Sequence, residues 1–368
     1  MAVIPLTDRA VMPDGGTAPD AIEAVGTIPA SVLSHPARRR RISVVVPTFK
    51  RPELLLNCLR ALVAQTLPAP DWEAVIVDDG HDDQTRGAVA AFAAQHPMHT
   101  LRYLRPAVGR GPAVARNAGW QAAASPLIAF TDDDTLPHPD WLASGLRRLE
   151  SQPDCWALAG RVQVPRPSGL TAAPTDHELM TRGLETGSFV TANAFVRREA
   201  LQRIGGFDED FKRAWREDSD LEFRLERAGG PSSVQRCEEA VVVHPVRPER
   251  WGVSLRQQKN AFYDALLYRK HPGLYRQRIH PRPPWDYFVI VGATLAVLPL
   301  LLAGLPMAAA LCAALALLLV LAFAARRLRA TSRRPAHCIE MLLTSALIPF
   351  LSVYWRLRGA WHFKVGFL

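Results

Sequence analysis

The chain has 368 residues, 48% of them apolar and 21% charged, with 44 Lys and Arg against 35 Asp and Glu. These values exclude a wholly disordered or collagen-like chain, and the length leaves room for two domains of about 100–200 residues. The five cysteines form no Cys-x-x-Cys pair, which argues against a thiolate zinc site or a disulfide framework and suits a reducing compartment.

Residues 1–41 show no sustained hydrophobic period and end in the run Arg38–Arg41. They lack the charged start, apolar core and small-residue cleavage site of a secretory signal, so we predict a flexible leader. The arginine run is typical of a solvated flank, and contact with anionic lipid head groups is the alternative.

From residue 42, short apolar runs alternate with helical patterns. The apolar runs are Ile42–Val46, Ala74–Val77 and Leu127–Phe130, and the helical segments are Pro52–Gln65, Asp83–Gln95 and Pro112–Ala124. This alternation predicts an α/β fold with a Rossmann-like, mainly parallel sheet covered on both faces. Such sheets bind ligands beyond the carboxyl ends of their strands, which is where all three predicted strands have polar residues.

The next part of the chain is less regular. We predict strands at Ala157–Val164, Ser188–Ala194 and Val234–Val243, helices at Ser219–Ala228 and Val253–Lys270, and an irregular segment at Pro165–Thr186. The pattern divides the chain into a leader at 1–41, an α/β domain at 42–275 and a membrane-anchoring region at 276–368.

The segment Tyr287–Ala325 contains no charged residue over its 39 positions. One helix of that length would measure roughly 58 Å against a hydrocarbon core of roughly 30 Å, so we predict two spans, about 287–303 and 307–325. Gly304-Leu305-Pro306 forms the hairpin between them. A buried pair of core helices is the alternative.

Arginines flank both ends of this apolar pair. Because such clusters mark cytoplasmic flanks, we predict a multi-pass protein of the cytoplasmic membrane whose α/β domain faces the cytosol. The shorter segment Met341–Tyr354 contains Pro349, and we predict an interfacial helix at about 340–355 that contacts membrane lipids. Nucleic-acid binding is not expected, since the arginines flank a membrane segment without an aromatic-lined polar surface.

Three carboxylates, Asp132, Asp133 and Asp134, directly follow the third predicted strand. Adjacent carboxylates repel one another and are costly to desolvate, a penalty that a bound divalent cation reverses. Oxygen ligands of this kind suit Mg²⁺ or Mn²⁺. An acidic turn that caps the next helix is the alternative.

The other strand ends carry further polar groups. Pro47-Thr48 closes the first strand, and Asp78-Asp79-Gly80 closes the second. The Gly-rich turn Gly109–Gly111 precedes a helix that contains Arg116 and Asn117. Such a turn lets backbone N–H groups approach an anion, although a plain helix cap has the same pattern. Arg116 could equally be a surface charge or a structural ion-pair partner of the acidic loop.

Two acidic residues, Glu217 and Asp218, open a predicted helix, and His244 follows the apolar run Val241–Val243. The helix dipole favours an acidic pair at that position without any function, whereas the functional interpretation is a general base. His244 is either a core or edge histidine or a third metal ligand.

Taken in order, these motifs closely resemble those of family 2 glycosyltransferases of the GT-A fold, over roughly residues 42–270. The matching segments are Val44–Arg51, Val77–Gly80, Ala115–Gly119, Phe130–Pro137, Gly205–Asp208 and Glu217–Leu221. The resemblance implies a GT-A nucleotide-sugar-binding fold followed by the transmembrane hairpin and interfacial helix. It also implies a nucleotide-sugar-dependent hexosyltransferase that uses Mg²⁺ or Mn²⁺.

The resemblance implies three groups of site residues. The donor-binding group is Pro47, Thr48, Asp78, Asp79, Arg116, Asn117, Asp132 and Asp133. The metal-binding group is Asp132, Asp134 and His244. Asp218 would be the catalytic base with Glu217 beside it, so that a single displacement inverts the anomeric carbon.

One departure from the family bears on the product. Processive synthases of the family carry a Gln-x-x-Arg-Trp signature, whereas the corresponding segment here, Gln257–Phe262, has no Arg-Trp pair. We therefore expect one sugar per encounter. Because the anchor holds the domain near the bilayer, we expect a lipid-linked or membrane-proximal acceptor. An anchor that only holds the enzyme beside a partner complex is the alternative.

Two other functions remain compatible with this pattern. One is a catalytically silent GT-A protein that binds nucleotide-sugars, although such a protein need not keep Asp218. The other is a nucleotidyltransferase, which is expected to have a Gly-rich, lysine-containing phosphate loop where this chain has Pro47–Arg51.

Overall fold

The computed structural model describes residues 40–107, 111–166 and 173–368. Nearly all of the predicted leader, and Gly109 and Arg110 of the predicted Gly-rich turn, lie outside the described residues. Eight strands form one sheet. They are β1 Ile42–Thr48, β2 Trp72–Asp78, β3 Thr100–Leu104, β4 Leu127–Thr131, β5 Leu136–Pro137, β6 Ala157–Gln163, β7 Asn193–Arg197 and β8 Val234–Val243.

The strand order is β3-β2-β1-β4-β7-β6-β8-β5. The four strands from β3 to β4 pair in parallel, as the alternating pattern predicts. The other half is mixed, because β7 runs antiparallel to both of its neighbours and β5 runs antiparallel to β8. The α/β fold is thus confirmed, and the parallel part of the sheet holds the first three predicted strands.

Thirteen α-helices are found among the described residues. They are α1 Pro52–Val63, α2 Asp83–Gln95, α3 Pro112–Ala122, α4 Trp141–Ser151, α5 Asp176–Thr181, α6 Arg198–Ile204, α7 Glu217–Gly229, α8 Val253–Gln257, α9 Ala261–Lys270, α10 Pro272–Arg278, α11 Trp285–Leu302, α12 Pro306–Arg329 and α13 Pro335–His362.

Three predicted elements differ from the observed ones. The strand predicted at Ser188–Ala194 is wrong: β7 begins at Asn193, because its partner β4 ends at Thr131, which pairs with Asn193. The predicted irregular segment contains α5, which begins at a capping box formed by Thr175 and Glu178. The helix predicted at Val253–Lys270 is divided into α8 and α9 by a 3₁₀ turn.

The sheet has an apolar core on each face. Val44 and Val46 of β1 join α1 and α4 in one buried cluster, whereas Val45, one residue out of phase, joins α3 in the other. Successive side chains of a strand point to opposite faces, so a β-branched run such as Ile42–Val46 supplies both cores. These two buried layers hold the sheet in place, and the acidic residues lie at the carboxyl ends of its strands.

Helix α3 approaches the sheet closely at Gly119. A methyl group there would lie 2.3 Å from Val45 Cγ1 and 3.0 Å from Val77 Cγ2. We expect Gly119→Ala to lower the free energy of unfolding by about 1–3 kcal/mol, because the added carbon overpacks the core. Urea denaturation followed by tryptophan fluorescence measures this.

Gly87 is the matched control, since it lies in α2 and a methyl group there would meet nothing within 4 Å. Gly87→Ala is expected to be neutral or to stabilise by up to about 1 kcal/mol, the helix-propensity gain. Equal effects of the two substitutions would contradict the close packing of α3 on β1.

Two long apolar helices, α11 and α12, lie where the two membrane spans are predicted. They form a hairpin through Ala303-Gly304-Leu305, with Gly304 at φ +71°. Most of their leucines are exposed, among them Leu298, Leu302, Leu311 and Leu318. By length and composition α11, α12 and α13 are each able to cross a membrane.

Helix α13 extends beyond the predicted interfacial helix at both ends, and Pro349 lies inside it. One face packs on α9, where Gly359 lies so close to Phe262 that a methyl group would approach the Phe262 carbonyl oxygen to 2.6 Å. The opposite face is apolar and exposed, with Leu343 and Leu347 on it. A helix with one face packed on protein and the other apolar and exposed fits a position between the α/β domain and lipid.

Arg327 joins the hairpin to the rest of the chain. Its NH1 donates to Thr344 Oγ1 at 2.8 Å and to Ser345 Oγ at 2.9 Å, both on α13. Its NH2 donates to Asp176 Oδ2 of α5 at 2.7 Å. The side chain is largely buried, so this arginine ties the apolar helices to the α/β domain by charge-assisted bonds.

Candidate active site

The acidic triplet lies at the carboxyl end of β4, and its middle member is fully buried. Thr48 Oγ1 donates to Asp133 Oδ2 at 2.7 Å, and Arg51 NH2 lies 2.8 Å from Asp133 Oδ1. Burial raises the pKa of Asp133 to about 7, with the neighbouring carboxylates adding to the rise and Arg51 and Thr48 opposing it. Asp133 is therefore enclosed by Thr48 and Arg51 and orders both side chains.

Asp132 is joined to the acidic pair of α7 by Arg116. Arg116 NH2 donates to Asp132 Oδ1 at 2.8 Å, and NH1 donates to Glu217 Oε1 at 3.0 Å. Burial raises the pKa of Asp132, but the charge and hydrogen bond of Arg116 outweigh it and leave that pKa below its usual value. Arg116 is itself 2% exposed, so it is a buried bridge between two carboxylates.

Asp134 faces three cationic or basic side chains. Arg247 Nε lies 3.0 Å from Asp134 Oδ2, Arg51 NH1 lies 3.8 Å from the same oxygen, and His244 Nε2 lies 3.6 Å from Oδ1. His244 thus lies beside the acidic loop. The positive charges of the two arginines offset the negative charge of Asp134.

The donor set fits a hard divalent cation that takes few protein ligands. Within the described residues, no group of three or more His, Cys, Asp or Glu is arranged to hold a metal ion. Asp132 and Asp134 offer carboxylate oxygens, and Mg²⁺ is usually bound by one or two carboxylates together with substrate phosphates. The chemistry of these two side chains therefore matches a cation that arrives with a diphosphate.

Asp78 closes β2 and is fully buried. Its Oδ1 accepts from Gly80 N at 2.9 Å, and its Oδ2 accepts from Asp82 N at 2.8 Å and from the Tyr103 hydroxyl. Asp78 thus orders the turn after β2. Tyr103 lies on β3 and was not predicted as a site residue, because that strand was not predicted.

Asp79 connects the second strand end to two neighbours. Its N–H donates to Thr48 O at 3.0 Å, and its Oδ2 accepts from Gly111 N, at the start of α3, at 3.0 Å. Gly111 has φ +106°, a conformation that favours glycine. Pro47 lies beside this turn at the end of β1, half-buried.

Asn117 is buried and holds the Gly206-Phe207 turn. Its Nδ2 donates to Phe207 O at 2.9 Å, and its Oδ1 accepts from Phe207 N at 2.9 Å and from Trp120 Nε1 at 2.9 Å. Gly206 has φ +70°, and a methyl group there would meet Asn117 Oδ1 at 2.5 Å. The structure therefore places Asn117 in support of the turn.

The acidic pair opens α7 immediately after Arg216, which has φ +75°. Such a conformation is strained for a non-glycine residue, and a 2.6 Å ion pair with Asp264 holds it in place. Ser219 N donates to Asp218 Oδ1 at 2.7 Å. Burial nevertheless raises the pKa of Asp218 above its usual value. Asp218 is therefore poised to take a proton more readily than an exposed aspartate.

Glu217 has a raised pKa of about 7, first because it is buried and second because Asp218 is beside it. Between pH 4.5 and 7 the folded chain therefore binds a proton that the unfolded chain has released, so this group's contribution to stability falls as pH rises. We expect the melting temperature of Glu217→Gln minus that of the unsubstituted chain to increase as the pH rises through that window. Thermal unfolding at several pH values measures it.

Gln84→Ala is the control for this titration, because Gln84 is exposed in α2 and carries no titratable group. Its melting temperature relative to the unsubstituted chain should not change with pH between 4.5 and 7. A Glu217→Gln difference that is equally constant would contradict the protonation of Glu217 in the folded state.

The predicted site residues are thus brought together at one edge of the sheet. Contacts run from Asp79 through Thr48 to Asp133, and from Asp132 through Arg116 to Glu217. Two arginines were not singled out by the sequence analysis. Arg51 lies three residues after Thr48, at the end of the matching segment Val44–Arg51, so a signal for it was available. Arg247 lies in an irregular loop with no motif.

Two family models match this chain. The model of "Glycosyl transferase family 2" matches residues 43–205, and that of "Glycosyl transferase family group 2" matches residues 127–326. Together they cover the sheet, the site and the hairpin.

Individual relatives are more distant. Glycosyltransferase AglE of Haloferax volcanii is 26% identical over 222 residues, which are 59% of this chain and 70% of the archaeal protein. Validoxylamine A glucosyltransferase of Streptomyces hygroscopicus subsp. jinggangensis is 28% identical over 273 residues. That match takes in 63% of this chain and 61% of the streptomycete protein.

Among solved structures, a mannosyltransferase from Pyrobaculum calidifontis, in complex with GDP-Man and Mn²⁺, has a similar fold. Its TM-score is 0.54, its sequence identity is 21%, and the match covers 88% of each chain. At that identity the likeness concerns the fold.

Proposed function

This chain belongs to glycosyl transferase family 2, and we propose that it is a metal-dependent, inverting enzyme that moves one sugar from a nucleotide-sugar to an acceptor at the membrane. The observation that carries the proposal is the bridge formed by Arg116. It joins the acidic triplet to the pair that contains Asp218. A single displacement needs these two groups side by side, one for the leaving diphosphate and one for the attacking hydroxyl.

The donor's nucleoside would lie at the ends of β1 and β2. Thr48, Asp78 and Asp79 supply polar groups there, on a turn held by their own hydrogen bonds. Because these groups are already ordered, less conformational entropy is lost when the donor binds. The mannosyltransferase of similar fold is in complex with GDP-Man, which agrees with a nucleotide-sugar as ligand.

Asp132 and Asp134 are the side chains that would hold Mg²⁺ or Mn²⁺, with His244 alongside. When bound, the cation would stabilise the charge that develops on the nucleoside diphosphate. Arg116 keeps Asp132 ionised and oriented, and Asp133 anchors the loop from below. Arg247, which contacts Asp134 and is partly exposed, would pair with phosphate oxygens of the donor, and Arg51, held by Asp133, lies beside the same carboxylate.

Asp218 would accept the proton of the acceptor hydroxyl. Its raised pKa makes it a stronger base than an ordinary aspartate, and the Ser219 N–H holds the carboxylate in one orientation. Attack from the face opposite the leaving phosphate inverts the anomeric carbon. One sugar per encounter follows from the Gln257–Phe262 segment, which lacks the Arg-Trp pair of processive enzymes.

The three apolar helices support association with a membrane. We propose that α11 and α12 span the cytoplasmic membrane, that α13 lies at its surface, and that the α/β domain faces the cytosol, since arginines cluster at both ends of the hairpin. The acceptor would then be lipid-linked or close to the membrane.

A donor panel tests the proposal. The purified protein is heated with UDP-, GDP- and dTDP-linked hexoses in the presence of Mn²⁺ or Mg²⁺, and its melting temperature is compared with that of the ligand-free protein. At about 100 times Kd a ligand stabilises the folded state by about 2.7 kcal/mol, so a true donor should stand out. Turnover of that donor should release a nucleoside diphosphate.

Two results would contradict the proposal. Release of pyrophosphate would indicate a nucleotidyltransferase. A donor that binds but is neither hydrolysed nor transferred would indicate a catalytically silent binding protein.

A further inference from the structure

A cavity of about 470 Å³ lies beyond the acidic site, on the side towards α13. Its walls are the start of α5, the loop that follows β8, the start of α8 and the first turns of α13. Cavities of roughly 300–1,000 Å³ are usual for small-molecule sites. None of the donor-binding, metal-binding or catalytic residues predicted from the sequence lines this cavity, so it is separate from the donor site described above.

Arg247 links the cavity to the acidic site. It lines the cavity, while its Nε lies 3.0 Å from Asp134. A molecule in the cavity is therefore one side chain away from the carboxylate that would face the donor's diphosphate. That is the position expected of a second substrate, and the inference rests on the proposed function.

Two histidines of the cavity wall have unpartnered ring nitrogens. His337 is 8% exposed, and its Nε2 is buried with no hydrogen-bond partner among the described residues; the same holds for Nδ1 of His177. Buried polar atoms are nearly always hydrogen-bonded, so each such nitrogen calls for an explanation. A ligand hydroxyl, which both donates and accepts, would satisfy either tautomer.

Three carboxylates of the wall already have partners, and two arginines, Arg247 and Arg250, line the cavity as well. Asp176 is paired with Arg327 at 2.7 Å, and Glu249 is paired with Arg256 at 3.3 Å. Glu340 accepts from Gly252 N at 2.7 Å. Each carboxylate keeps further lone pairs that can accept from the hydroxyl groups of a ligand.

Trp251 gives the cavity an exposed aromatic wall. Its side chain is 56% exposed and borders a cavity lined both by polar side chains and by the apolar Val246, Pro248 and Met341. An indole ring offers a flat apolar face and one N–H donor. A flat apolar face surrounded by carboxylates and imidazoles suits a ring that has C–H groups on one face and hydroxyls at its edge.

We propose that this cavity binds a saccharide and is the acceptor subsite of the enzyme. Trp251 would stack on the sugar ring, while His337, His177 and Glu340 would bond its hydroxyls. The sugar could be free or the head group of a glycolipid. Helix α13 connects the cavity to the membrane side, because Ile339, Leu342 and Leu343 are exposed beside the cavity residues His337 and Glu340.

The test uses the full chain in nanodiscs of phosphatidylethanolamine and phosphatidylglycerol, with saturation-transfer NMR as the readout. The probes are methyl glycosides of several hexoses, the matching octyl glycosides, and inorganic phosphate. We expect at least one glycoside to bind. Tighter binding of its octyl form identifies a glycolipid head group, and equal binding of the two forms identifies a free saccharide.

Variants locate the binding. Trp251→Ala should weaken glycoside affinity by about tenfold, and Trp251→Phe should retain most of it, because the ring face remains. Trp361→Ala is the matched control, since Trp361 is exposed on α13 and does not line the cavity. His337→Ala should also weaken binding.

The outcomes separate this inference from the proposed function. If nucleotide-sugars bind but no glycoside does, or if glycoside binding is unchanged in Trp251→Ala, the saccharide subsite is overturned and the donor site stands. Phosphate binding that depends on Trp251 and His337 would likewise overturn it, in favour of an anion site. If nucleotide-sugars themselves fail to bind, the proposed function falls.

Discussion

Asp218→Asn is expected to bind a nucleotide-sugar as tightly as the unsubstituted chain but to transfer sugar about 10²–10⁴-fold more slowly, the usual contribution of a positioned base. The amide keeps the shape of the side chain and can still accept from Ser219 N, which donates at 2.7 Å. It cannot take a proton from the acceptor. Initial rates of transfer and donor affinity, measured on the same preparation, separate the two effects.

Asp210→Asn is the control, because Asp210 is exposed and lies shortly before α7 in the chain. It should leave both donor affinity and rate unchanged. A rate for Asp218→Asn within a few-fold of the unsubstituted enzyme would show that another group takes the proton.

The pH dependence of transfer follows from the same side chain. Burial raises the pKa of Asp218 above the ordinary 3.8, so protonation inactivates the base at a higher pH than for an exposed aspartate. The rate should therefore fall with decreasing pH through a limb centred above pH 3.8. Asp218→Asn should lose that limb.

The parallel part of the fold could be predicted because its signals are local. Runs such as Ile42–Val46 are β-branched and continuous, as strands buried on both faces must be, and each is followed by a helical pattern. The strand β7 could not be placed, since its start at Asn193 is set by the end of β4, which lies far back along the chain at Thr131. Pairing over such distances leaves no mark in the local sequence.

The location of the candidate site at a set of strand ends was predictable, but the contacts among its side chains were not. The carboxyl ends of parallel strands share one edge, which brings Thr48, Asp79 and Asp132 together by topology alone. The bridge from Asp132 to Glu217 depends on Arg116, which is 101 residues from Glu217. No spacing rule indicates which of the chain's many arginines is buried between two carboxylates.

The same limit applies to the membrane region. Continuous apolar composition predicts α11 and α12 and their hairpin, because length and hydropathy are local properties. The length of α13 and the burial of one of its faces depend on α9, against which Gly359 packs. The acceptor cavity arises where α13 meets the loop after β8, so it too was beyond prediction from the sequence.

Asp134 carries the second large prediction. Its carboxylate is 8% exposed and touches Arg247 and Arg51, while Asp133 keeps its own contact with Arg51. Removing Asp134 therefore relieves repulsion within the triplet without leaving a buried arginine unpaired, and the fold should persist. Asp154→Ala is the control, because Asp154 is exposed in a turn remote from the triplet in sequence.

Asp134→Ala is expected to lose about 10²–10⁴-fold in transfer rate and to lose the rise in melting temperature that Mn²⁺ adds in the presence of donor. A Lewis acid at a leaving diphosphate is worth several kcal/mol, and each step of about 1.4 kcal/mol is a factor of ten in rate. The two readouts must change together, since both depend on the same carboxylate. If Mn²⁺ still stabilises the variant and transfer is undiminished, Asp134 does not hold the cation, and the role of the acidic triplet would be to order Thr48, Arg51 and Arg116.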